Sequence, residues 1–176
     1  MTRNTALLIL VASLLVAGCT AYGSKAVITT TYITNNMIYA QAYGVDIGAV
    51  PIASSGIYYN VSGTVSDLDT GFIFNDSGNY ELTALQGGVY KIATQWSFSG
   101  TANTEYHLSV AVNYVQRDQC HAERKIGTGA DVGSAGFTCL LALNAGDIIN
   151  PVIENADSAT DPTVNNIQLV IVRVGN

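Results

Sequence analysis

The sequence predicts an all-β domain of about ten short strands, a sandwich or a jelly roll. Three observations carry this. Residues 87–100, GGVYKIATQWSFSG, alternate: Tyr90, Ile92, Thr94, Trp96 and Phe98 point one way, and Lys91, Gln95 and Ser97 the other. A side-chain period of two marks a strand with one buried face, and the face holding the only Trp and two further aromatic rings belongs at the centre of the core. Second, the chain has 17 glycines but only 11% charged residues, and runs rich in Val, Ile, Thr and Tyr recur along it. That is the composition of strands joined by many turns. Third, these runs fall at hairpin spacing, divided by turn signals such as NDSG at 75–78 and NAGD at 144–147. A hydrophobic content of 48% excludes disorder, and no heptad or fixed-length repeat is present.

The first 19 residues read MTRNTALLILVASLLVAGC. Arg3 gives a positive start, and the apolar run from Thr5 to Ala17 has the length of a signal-peptide core rather than of a membrane span. It ends in Val16-Ala17-Gly18-Cys19, which resembles the bacterial lipoprotein signal. There a small-residue pair precedes a Cys that becomes lipidated and forms the new N-terminus. An ordinary signal peptide with a chance Cys, or an uncleaved anchor, are the alternatives. The expected organisation is a signal peptide at 1–18, a Thr-rich tether at 19–36, and the jelly-roll domain at 37–176.

Within the domain, strands are expected at 37–44, 57–61, 71–75, 79–85, 88–99 and 105–114. In 105–114, Tyr106, Leu108, Val110 and Val112 face inward and His107, Ser109 and Asn113 outward. Residues 62–71, SGTVSDLDTG, are expected to turn. Residues 116–126 form a more polar strand or irregular segment, and 127–136, GTGADVGSAG, a glycine-rich loop. Strands follow at 137–143, 148–154 and 167–174, where Pro151 argues for a sheet edge or a bulge.

Several of these runs resemble the C1q/tumour-necrosis-factor-like jelly roll, of the kind also found in bacterial and bacteriophage proteins. The strand entered through Gly88-Val89-Tyr90 matches a family landmark, as does Leu141-Ala142-Leu143-Asn144-Ala145-Gly146-Asp147, which opens the next-to-last strand, followed by a β-branched final strand. The family's Asn-Gly turn between two middle strands reads Asn113-Tyr114 here, a departure that makes a tight turn difficult. The resemblance covers roughly residues 70–174. It implies a ten-stranded, two-sheet antiparallel jelly-roll sandwich, non-catalytic, that assembles as a compact trimer. The family binds proteins, polysaccharides or lipids through loops at one end, and some members hold calcium near the apex.

Asp67, Asp69, Asp157 and Asp161 sit beside small polar residues and are expected in loops. They are candidates for a calcium or ligand site, but DLDTG lacks the downstream Glu of a calcium loop, and solvated loop charges are the favoured reading. Cys120 and Cys139 are a candidate disulfide. A hairpin centred on 127–134 would set them nearly opposite, whereas in the resembled family their strands lie in different sheets; two buried free thiols are the alternative. His121 and Glu123 share one face of a strand with His107 elsewhere, which is a poor zinc set. GTGADVG lacks the Lys-Ser/Thr of a phosphate loop, and no GxSxG elbow occurs.

A net charge of −6 without a basic patch excludes nucleic acid as a partner. The expected function is therefore an exported, non-enzymatic homotrimeric binding module, anchored on a bacterial envelope only through the lipid on Cys19, without cofactor unless calcium binds. It would recognise a protein or a polysaccharide. A phage virion protein, such as a fibre tip or capsid decoration, is the alternative, and a glycan hydrolase ranks last.

Overall fold

The computed structural model describes residues 37–62, 66–75, 80–128 and 131–176, and of residues 66–68 the backbone alone. The signal peptide (1–18), Cys19 and the tether (19–36) expected from the sequence lie outside the described residues.

The alternating run at 87–100 folds as β6 (Gly88–Ser99), with Tyr90, Ile92, Trp96 and Phe98 at most 1% exposed. It does not stand alone at the centre of its sheet. The first sheet runs β3 (Ser66–Thr70), β1 (Tyr39–Ala49), β11 (Thr163–Gly175), β6, β9 (Val132–Leu143). The second runs β4 (Phe72–Asn75), β5 (Glu81–Ala84), β10 (Ile148–Asn155), β7 (Glu105–Val112), β8 (Val115–Lys125), with the short β2 (Tyr59–Asn60) also pairing β10. Every pairing is antiparallel. The described residues thus form an all-β, two-sheet jelly-roll sandwich. Its core closes where the inward rows meet: Phe98 of β6 lies edge-on to Tyr106 of β7, with ring centroids 5.6 Å apart, a favoured geometry for aromatic pairs.

Five local expectations are corrected. Residues 66–70 form β3, paired with β1, so Asp67 and Asp69 lie on a strand and not in a loop. The glycine-rich loop is shorter than expected, because β9 already begins at Val132. Gly136 belongs to that strand for a steric reason: a Cβ there would stand 2.4 Å from the Thr94 carbonyl oxygen on β6. Pro151 lies inside the second sheet. Its carbonyl accepts from the Val61 N–H at 3.2 Å, so its missing N–H points to the same side, where the neighbouring strand is interrupted between β5 and β2. Asn113 and Tyr114 both take positive φ (52° and 64°) and make a two-residue turn between the paired Val112 and Val115. This is the geometry usually given to Asn-Gly. Ser109, expected outward, is fully buried.

The burial of Ser109 comes from a bulge. Near the turn, Ala111 pairs Gln116, but beyond it Ser109 pairs His121, a shift of three residues. The extra chain on β8 turns Cys120 into the core, and the Ser109 hydroxyl donates to the Cys120 carbonyl at 2.7 Å.

Candidate functional site

The bulge decides what faces outward on the second sheet. In an unbroken hairpin Cys120 would stand opposite His107. With the shift, Glu123 does, and His121 lies diagonally beside it. On the other flank of β7, β10 places Glu154 opposite His107. One cross-strand row therefore reads Glu154, His107, Glu123, and the histidine that the sequence left elsewhere joins the other.

The resulting cluster is tight. His107 Nδ1 lies 2.5 Å from the buried Glu154 carboxylate, and Nε2 lies 2.9 Å from Glu105. The His107 and His121 rings meet edge to face at 5.0 Å, and His121 Nδ1 is 3.9 Å from Glu123 Oε1. Burial pulls the His107 pKa down. The hydrogen bonds to Glu105 and Glu154, with the charges of Glu154 and Glu123, outweigh it and hold the pKa above the ordinary value. Tyr58 adjoins the group, and its phenol is pushed up by burial and then by Glu154, Asp118 and Glu123. His121 Nε2 is buried and finds no partner among the described residues. Sequence spacing could not bring these residues together, because the shift of register is invisible without the fold.

The acidic residues singled out by sequence go elsewhere. Asp69 stands in register opposite Ala40 on β1, and Asp67 opposite Ala42. Asp157 Oδ2 accepts the Glu105 N–H at 2.8 Å, and Asp161 Oδ1 accepts the Ile52 N–H at 2.8 Å. Both carboxylates are tied to backbone. Asn155, which is fully buried, braces the same segment: its Oδ1 accepts the N–H groups of Asp157 and Ser158, and its Nδ2 donates to the Thr160 carbonyl. Residues 156–162 are thereby fixed against the 50–56 and 100–105 segments. Together these form one end of the sandwich.

Cys120 on β8 and Cys139 on β9 form a disulfide with Cα atoms 5.3 Å apart. They are not partners in a hairpin. β8 and β9 are the edges of different sheets, and the bond closes the sandwich along that side.

The outer face of the first sheet has a different character. Along β1, β11, β6 and β9 the outward row reads Gln41, Tyr43 and Val45; Asn166, Gln168 and Val170; Lys91, Ala93, Gln95 and Ser97; Val132, Ser134, Gly136, Thr138 and Leu140. Lys91 is the one charge among these side chains. Tyr43, Val45, Val132 and Leu140 are each between 46% and 64% exposed. Two shallow hollows open on the face, one over Gln95, Gly136 and Gln168, the other over Gln41, Tyr43 and Asn166. The sequence held the signal, in the missing charges at alternate positions of these four runs.

No protein-family model and no curated protein matches the chain. Solved structures do. Eiger TNF from S. frugiperda aligns over 80% of this chain and 94% of its own, at 15% identity and a TM-score of 0.57. Murine APRIL at pH 8.0 aligns over 77% of this chain and 99% of its own, at 15% identity and a TM-score of 0.52. Murine APRIL at pH 5.0 aligns over 79% and 100%, at 16% identity and 0.50. At these identities the likeness concerns the fold, which is the TNF-like jelly roll.

Proposed function

We propose that this chain is a non-catalytic binding module that works as a homotrimer, with the outer face of the first sheet packed between copies. The observation that carries the reading is the near-absence of charge among the described outward side chains of β1, β11, β6 and β9. A solvated sheet face ordinarily alternates polar and charged side chains outward, and charge-poor faces with aromatic residues are what protein interfaces bury. The TNF-like fold supports the same reading.

The ligand is a protein or a polysaccharide met by the loop end built from residues 50–58, 100–104 and 156–162. Its bracing by Asn155, Asp157 and Asp161 holds the loops in one shape, and a pre-organised surface binds at lower entropic cost. The module is exported and held on a bacterial envelope through lipid on Cys19. The N-terminal pattern supports this, and so does the Cys120–Cys139 bond, since disulfides persist in oxidising compartments. The same bond weighs against a virion protein assembled in the cytoplasm.

Gln95→Glu tests the interface. Gln95 is exposed and paired with Gln168 at the middle of the face. In a free chain the added carboxylate is solvated and leaves the fold intact. In a packed trimer three carboxylates become desolvated together, so the assembly should fall apart into folded monomers. An assembly that keeps its mass with Gln95→Glu overturns the reading.

A further inference from the structure

We propose that His107, His121 and Glu123 hold a divalent transition-metal ion of the zinc class on the outer face of the second sheet. One ligand atom from each lies within 4.8 Å of the others, close enough for side-chain rotation to bring them onto one ion. Two imidazoles and a carboxylate are the donor set of three-ligand zinc sites, in which water or a further group fills the fourth position. Imidazole nitrogen selects zinc, nickel or copper over calcium or magnesium.

Three observations favour an ion over a plain polar cluster. His121 Nε2 is buried without a partner among the described residues, and an orphaned buried nitrogen is costly unless something satisfies it. The carboxylates of Glu105, Glu123 and Glu154 outnumber the two imidazoles they surround, so the site favours a cation. Both His107 nitrogens already carry carboxylates. An ion takes one nitrogen and leaves the other oriented by its carboxylate, which is how metal-bound histidines are generally held. The His107 and His121 side chains are only 19% and 25% exposed, so an ion there would be partly shielded from solvent. It would pin β7 to β8 beyond the bulge. The inference is independent of the trimer and of the ligand at the loop end.

The test is a cobalt titration of the full-length chain, purified in detergent and stripped with chelator. The expected result is visible d–d absorption that saturates at one Co²⁺ per chain and is abolished by Zn²⁺. His121→Ala should remove the absorption, with the far-UV spectrum and the melting temperature in chelator unchanged. Glu105→Gln, which removes one of the two carboxylates on the His107 ring, should weaken binding about 10–100-fold. Absent cobalt absorption, or a titration that His121→Ala leaves unaltered, overturns the proposal. Should His121→Ala fail to fold, Glu123→Gln, at an exposed position, decides: undiminished affinity overturns the site, and loss of binding supports it.

Discussion

Cys120 and Cys139 are bonded across the gap between the two sheets, each from an edge strand, and the bulge held by Ser109 is what brings Cys120 inward to make the bond. The bridge closes a loop with a sequence separation of 19. In the chain-entropy account a loop of that size stabilises by about 3 kcal/mol. The Cys120→Ala/Cys139→Ala double variant should lose about that much in chemical denaturation. The unmodified domain, unfolded without reductant, should show neither thiol to a thiol reagent.

Trp96 is 1% exposed, and its Nε1 finds no acceptor among the described residues. Two effects can therefore be separated. Trp96→Ala opens a large cavity and should cost about 3–5 kcal/mol. Trp96→Phe also removes the orphaned donor, which offsets part of its smaller volume loss, and should cost clearly less. Gln95→Ala, on the opposite face, should cost under about 0.5 kcal/mol in the separated monomer. Equal effects from Trp96→Ala and Gln95→Ala in the monomer would mean that the inward and outward rows are misassigned.

Asp157 and Asp161 hold the Glu105 and Ile52 amides. Removing such an acceptor leaves a backbone donor unsatisfied, at about 1–3 kcal/mol where the group is desolvated and less where water reaches it. Asp161→Ala should lower the melting temperature by the same amount in calcium and in chelator. A loss seen only in calcium would return these residues to a cation site.

Asp147 links the β9–β10 turn to the β7–β8 turn. Its carboxylate accepts the Asn144 N–H at 2.7 Å and the Asn113 Nδ2–H at 2.8 Å. The Asn144 bond first, and then Asn113, hold its pKa below the usual carboxylate range, against a smaller upward pull from burial. Because the folded value is depressed, the contribution is fully present above the unfolded pKa and is lost as pH falls through the folded one. Asp147→Asn should destabilise at neutral pH. Its stability curve should meet that of the unmodified chain at the acid end, below both pKa values. A constant gap at every pH would contradict this linkage.

The large features were legible in sequence because they rest on local alternation. The rows at Tyr90–Phe98 and Tyr106–Val112 needed only a period of two and a buried side. What was hidden depends on neighbours distant in the chain. DLDTG has the residues of a turn and becomes β3 because β1 lies beside it. Gly136 reads as loop but is a glycine because β6 backbone crowds it. Pro151 reads as an edge or a bulge and sits instead at an interruption in the strand opposite. The His–Glu cluster depends on a three-residue shift within one hairpin. No spacing rule foresees that shift, since a regular pairing would have put Cys120 in the place of Glu123.

Mass in solution decides whether the outer face of the first sheet is packed between three copies. Sedimentation or light scattering at micromolar concentration should give about three times the chain mass for the assembled protein, and about one for Gln95→Glu. A single chain mass for the unmodified protein at that concentration would overturn the trimer, leaving the charge-poor outer face of the first sheet without an occupant.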